Sequence, residues 1–226
     1  MPRNQSVLLE PRKSPVQARS NASVQSILQA TIQVLLTIGK ERLTTTRVAH
    51  RAGVSVGTLY QYFPNKSALL KAVLRNHLES VAVELEHACH ENRGAPVEQI
   101  VTGFVNAFLR AKMRDLKTST ALYSVSSDVD GAKIAREIGA RLNKVIVSTL
   151  ATAREPLRND PTVIASTIQA AMVGVARSIL EGPAPEKHFE SAREELILML
   201  QAYLKTCVSQ TQVPRTQTSH VAPRPH

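Results

Sequence analysis

Residues 44–66 read TTTRVAHRAGVSVGTLYQYFPNK, and this stretch constrains the fold more than any other part of the chain. A short helical segment, Thr45 to Ala52, stops at Gly53. A second opens after Ser55 and runs to about Tyr62. Val48, Ala49, Ala52, Val54 and Leu59 are the apolar positions that lock the two segments together. The positions between them point outward and are small, hydroxylated or aromatic. Two short helices joined by a tight turn at a glycine make a helix-turn-helix, whose second helix enters the major groove of DNA.

The charge distribution agrees with such a partner. The 226 residues include 28 Lys and Arg against 18 Asp and Glu, a formal net charge of +10. The excess is uneven: residues 1–79 hold 11 basic and 3 acidic side chains, whereas residues 80–226 hold 17 and 15. Positive charge gathered around the helix-turn-helix suits a polyanion better than it suits plain solubility. A hydrophobic content of 43% and the length of the chain leave room for a second, core-bearing domain. Cys89 and Cys207 are the two cysteines and imply no disulfide framework. No apolar run approaches the ~20 residues of a membrane span, and the first residues lack the apolar core of a secretory signal. A cytoplasmic protein with no membrane partner is therefore expected.

The expected organisation is all-α, with about nine helices. Residues 1–21, with Pro2, Pro11 and Pro15 among basic and polar residues, read as a flexible basic arm. Residues 22–66 form the helix-turn-helix domain, and residues 67–209 a helical regulatory domain. Residues 210–226, proline-rich and without periodicity, read as a disordered tail. An amphipathic stripe from Val24 to Ile38 is closed by Gly39. Asn65 looks like the N-cap of a long helix that reaches about His90. Further periodic stretches start near Pro96, Leu116, Ile134, Pro161 and Glu186.

The segment AGVSVGTLYQYFPNKSALL, Ala52 to Leu70, closely resembles the DNA-binding signature of the TetR family of transcriptional regulators. The resembling region runs from about Ser23 to Leu74. The resemblance implies three helices in a DNA-binding domain and six in a regulatory domain. It also implies roles for individual residues. Thr45 and Thr46 open the first helix of the motif, where hydroxyls and free N–H groups suit a phosphate oxygen. Arg47 either reaches DNA or is a solvated charge. Ser55, Val56, Gly57 and Thr58 start the recognition helix, small enough for close approach and able to meet base edges or a thymine methyl. Tyr60 and Tyr62 match phosphate-binding positions, and Gln61 faces bases or solvent. Lys66 matches the phosphate-binding lysine at the start of the fourth helix.

Beyond Ser67 the resemblance implies a pocket for a small, largely apolar effector, and a homodimer interface made by the last two helices. Ala170, Gly174 and Ser178 form a small-residue face there, with Leu196, Leu200, Tyr203 and Leu204 packing from the last helix or serving as core. Phe104, Phe108, Tyr123 and Met172 are candidate pocket residues, and Arg177 is a candidate partner for an anionic ligand. His87, Cys89 and His90 lie close together, but no further ligand completes a metal set. Without a catalytic order of residues, a phosphate loop or a dinucleotide fingerprint, neither an enzyme nor a cofactor is expected. The leading reading is a homodimeric, effector-responsive repressor of an inverted-repeat operator. An activator, a regulator that senses nothing small, and an all-helical carrier of apolar ligands are the alternatives.

Overall fold

Local capping chemistry divides the chain. The computed structural model describes residues 18–208, and among those residues there are nine α-helices and no strand. They are α1 (Ala18–Arg42), α2 (Thr45–Ala52), α3 (Val56–Tyr62), α4 (Lys66–Glu91), α5 (Val97–Met113), α6 (Leu116–Val125), α7 (Gly131–Leu150), α8 (Pro161–Glu181) and α9 (Pro185–Cys207). A 3₁₀ turn, Ser126–Val129, joins α6 to α7. The arm expected over residues 1–21 lies outside the described residues as far as residue 17, and Ala18 already belongs to α1. The tail expected over residues 210–226 lies wholly outside them.

α2, α3 and α4 each begin on a side-chain cap that satisfies an otherwise free N–H. The Arg47 N–H donates to the Thr44 hydroxyl at 3.3 Å, the Thr58 N–H to the Ser55 hydroxyl at 2.9 Å, and the Ala68 N–H to the Asn65 carbonyl at 2.8 Å. α2 ends on Gly53 at φ 69°, a left-handed conformation that costs a residue with a Cβ. α1 breaks at Gly39, where φ is 75° and ψ 167°, and then takes one more turn to Arg42.

One buried apolar cluster runs the length of the fold. At one end it holds Ile27, Leu35, Leu43, Val48, Ala49, Leu59 and Phe63 together with Leu69 and Val73 of α4. Further along, α4 packs on α5 and α7, and α9 packs on α5 and α8. Leu196, Leu200 and Leu204 are buried within the single chain. These three therefore belong to the chain's own core, because the i, i+4, i+8 stripe of α9 faces α5 and α8. The large apolar residues that α9 leaves outside are Leu198 and Met199, 62% and 51% exposed.

Two helical stretches, Asn21–Arg42 and Pro161–Glu181, are long and apolar enough to cross a membrane by length and composition. This corrects the expectation that no run approaches that length. Alanine, threonine and glycine interleaved with branched residues keep the hydropathy up where no unbroken apolar run is visible. Both stretches turn a stripe of large apolar side chains inward, Ile27, Leu28 and Leu35 in one and Ile164, Ile168 and Met172 in the other, and leave Leu36, Val163 and Val173 exposed.

Gly53 and Gly57 are four residues apart and obey different constraints. At Gly57 a Cβ would meet only the Ser55 hydroxyl, at 3.7 Å, and the backbone is helical. Gly53→Ala should destabilise the fold by about 1 kcal/mol, whereas Gly57→Ala should raise stability by up to ~1 kcal/mol. Urea unfolding followed by circular dichroism measures both.

Candidate nucleic-acid interface

Between Glu41 and Glu79 the sequence has no acidic residue, and every side chain that α2 and α3 turn outward lies in that interval. On α2 the outward residues are Thr46, Arg47, His50 and Arg51. On α3 they are Val56, Gly57, Tyr60 and Gln61, with Val56 36% and Tyr60 38% exposed. A groove between α1 and α2 is walled by Gln33, Thr37, Arg42, Thr46, Arg47, His50 and Arg51. With no carboxylate in either helix, this face presents a positive potential to solvent.

Hydrogen bonds pre-set its side chains. Thr45 is buried, and its hydroxyl lies 3.0 Å from the Tyr60 hydroxyl, joining α2 to α3. Ser55 caps α3 and also lies 2.8 Å from the Thr58 hydroxyl. Arg47 folds back to donate to the Arg42 carbonyl at 2.8 Å, and Arg51 donates to the Gln33 side chain at 2.6 Å. The Lys66 ammonium donates to the Lys40 carbonyl at the end of α1. Lys40 in turn pairs with Asp128 of the 3₁₀ turn at 2.8 Å. Tyr62 is half-buried and tilted against Phe63, with ring centroids 6.4 Å apart. Thr46, Val56, Gly57 and Gln61 are open to solvent. The sequence reading omitted Arg51 and His50. Their i+4 spacing from Arg47 and Thr46 places them on one face and could have revealed them.

The effector candidates separate into two groups. Phe104, Phe108 and Met172 are core residues. Tyr123 is half-buried, and the Arg177 guanidinium carbon lies 5.7 Å from its ring centroid. Arg177 is exposed and pairs with Glu181 at 3.1 Å. His87 pairs with Glu91 at 3.4 Å, and burial pushes the Cys89 thiol up to about 11. Among the described residues no three His, Cys, Asp or Glu side chains gather as a metal site.

A polar cluster between α4, α5 and α6 escaped the sequence reading. Ser119 of α6 is buried and donates to the Lys112 carbonyl at 2.6 Å. Its oxygen lies 3.2 Å from Nε2 of His77 on α4, so with the serine proton already committed the imidazole is the donor. Burial, and secondarily the Lys112 charge, pull His77 down to about 4, against a smaller opposing pull from Asp115. Burial alone pulls Lys112 down to about 8.

The folded state therefore disfavours a protonated His77, while the unfolded chain protonates near 6.5. The stability that this represents is complete above 6.5 and is lost as the pH falls towards 4, by up to about 3 kcal/mol. Thermal melts over that window should fall steeply for the parent chain. They should fall less for His77→Gln, which keeps a donor for Ser119 and cannot titrate.

Comparison with known proteins bears on both halves of the chain. Residues 27–73 match the family model described as bacterial regulatory proteins, tetR family. Residues 96–204 match a second, described as tetracyclin repressor-like, C-terminal domain. The nucleoid occlusion factor SlmA of Actinobacillus pleuropneumoniae is 31% identical over 109 residues, which are 46% of this chain and only 44% of that protein. An uncharacterised HTH-type transcriptional regulator of Mycobacterium bovis is 27% identical over 193 residues, 81% of this chain and 95% of its own length. A TetR-family regulator from Mesorhizobium loti shares the fold with a TM-score of 0.71 at 16% identity, over 85% of this chain and 100% of that one. With both halves matched and the helix-turn-helix in place, the chain belongs to the TetR family of bacterial transcriptional regulators.

Proposed function

We propose that this protein is a homodimeric transcriptional repressor, released from an inverted-repeat operator by a small effector. The observation that carries the reading is the α2–α3 face. It is free of carboxylates, rimmed by Arg42, Arg47 and Arg51, and centred on the hydroxyls and small side chains of Ser55, Gly57 and Thr58. Phosphates are met by the N-terminus of α2, by Tyr60 and Tyr62, and by Lys66. Base edges are met by the first turn of α3 and by Gln61.

One recognition helix of seven residues reads few base pairs. A two-fold dimer doubles the contact and selects a palindrome. The outer faces of α8 and α9 support self-association. Val163, Val173, Leu198 and Met199 are more than half exposed there, and Ala170 and Gly174 leave room for a close helix approach. Burying such side chains contributes roughly 25 cal/mol per Å² of apolar surface, which favours a partner over water.

The effector acts through α4, which begins at Lys66 beside the DNA face and ends at Glu91 among the regulatory helices. Arg141 of α7 reaches Glu79 at 2.6 Å and Glu86 at 2.9 Å, and Arg75 of α4 reaches Glu137 at 2.6 Å, alongside the packing of α4 on α7. A ligand that shifts these helices changes the separation of the two recognition helices. Major grooves on one face of the duplex recur at ~34 Å, and a dimer off that spacing cannot engage both half-sites.

The purified protein should bind a duplex carrying the inverted repeat from its own promoter about 10³-fold more tightly than a scrambled duplex. Lys66→Ala should weaken binding to every sequence alike and flatten the log–log salt dependence by about one unit per half-site. Equal affinity for both duplexes across a range of salt contradicts the regulator reading. An unchanged slope in Lys66→Ala removes that lysine from the phosphate contacts.

A further inference from the structure

Four helical threonines share a pattern that Thr45 cannot follow. Thr31, Thr37, Thr102 and Thr167 each donate to the carbonyl four residues back in their own helix, at 2.7, 2.7, 2.6 and 2.9 Å. Thr45 is the first residue of α2 and has no carbonyl behind it in that helix. It is buried all the same, and its hydroxyl lies 3.0 Å from the hydroxyl of Tyr60 on α3. Tyr60 is 38% exposed and stands with Val56, Gly57 and Gln61 on the outward side of α3. The bond therefore joins a hydroxyl withdrawn from solvent to a side chain on the open face.

Resting on the DNA-binding reading above, in which Tyr60 meets a phosphate, we infer that Thr45 is a positioning residue: its buried hydroxyl donates to Tyr60 and directs the phenol proton outward to the DNA backbone. The two threonines that open α2 then differ in role. Thr46 faces solvent and is free to meet DNA itself, whereas Thr45 acts through Tyr60.

Proton counting selects this arrangement. Each hydroxyl carries one proton, so the bond has two senses. If Tyr60 donated inward, its oxygen would turn only lone pairs outward, and a phosphate oxygen, which only accepts, would find no donor there. With Thr45 donating, the phenol proton points away from α2, and the inward bond polarises the phenol into a stronger donor. A phosphate on the outward side of α3 selects the second sense. Thr45 has no competing carbonyl in α2 on which to spend its proton, which is what distinguishes it from Thr31, Thr37, Thr102 and Thr167.

A double-mutant cycle on the full-length protein tests this, read as affinity for the inverted-repeat duplex. Thr45→Val and Tyr60→Phe each remove one hydroxyl and keep the shape of the side chain. Tyr60→Phe should weaken binding by roughly tenfold per half-site, the loss of a hydrogen bond to a charged acceptor. Thr45→Val should weaken it by roughly threefold per half-site, because the phenol keeps its proton and loses its direction. In the Tyr60→Phe background Thr45→Val should change affinity by less than about twofold overall. Thr45→Ser, which keeps the hydroxyl, should bind as the parent does. A bond that only braced α2 against α3 would make the two single variants equal, since each breaks the same bond. Thermal melts show that the variants fold. Equal losses in the two single variants, losses that multiply in the double variant, or unchanged affinity in Thr45→Val overturns the positioning role. The parent chain is measured on the inverted repeat and on a scrambled duplex in the same series, so a failure of the DNA-binding reading registers separately, as equal affinity for the two.

Discussion

The burial of Leu59 and Phe63 is the contact on which the rest depends. α3 has seven residues, and a helix of that length does not persist alone in water. It exists because Leu59, fully buried, and Phe63, 2% exposed, belong to the buried cluster that also holds Leu43, Val48, Ala49 and Leu69. The Thr45–Tyr60 hydrogen bond and the Ser55 cap then set its rotation and its start. With the inner face fixed in this way, Val56, Gly57, Tyr60 and Gln61 have one direction in which to point. The recognition surface is the outer side of a packing solution.

The same packing makes α4 the link between the two halves. Its first turn carries Lys66, whose ammonium holds the Lys40 carbonyl, and Lys40 reaches across to Asp128. The Lys40–Asp128 pair is exposed and contributes little to stability. Its consequence is positional: it ties the end of α1 to the 3₁₀ turn after α6. Two links thus connect the regulatory helices to the DNA face, one through α4 and one through the 3₁₀ turn.

What was legible in the sequence was whatever local chemistry decides. The end of α2 and the start of α3 follow from Gly53 and Ser55, because caps and left-handed turns act over four or five residues; the cap of α2 is Thr44, one residue before the threonines read as opening it. The break at Gly39 was equally visible, although the chain resumes a helical turn as far as Arg42. What depends on neighbours distant in sequence was not legible. Leu196, Leu200 and Leu204 could equally be interface or core until α5 and α8 are in place. Lys112, in the run FLRAKMRD, looks like any charge on a helix surface, yet in the fold it is half-buried. Arg177 shows the converse: an arginine in an apolar stretch looks buried, yet it lies on the exposed side of α8 with Glu181 and Tyr123.

The central claim is that two copies of α3 read one face of a duplex simultaneously. The most direct test is operator binding as a function of half-site spacing. Inserting about five base pairs between the half-sites turns one of them to the opposite face of the helix, so affinity should drop by roughly 10³-fold to the level of non-specific DNA. Affinity that does not change with spacing would mean that each helix-turn-helix binds alone, and would contradict the account.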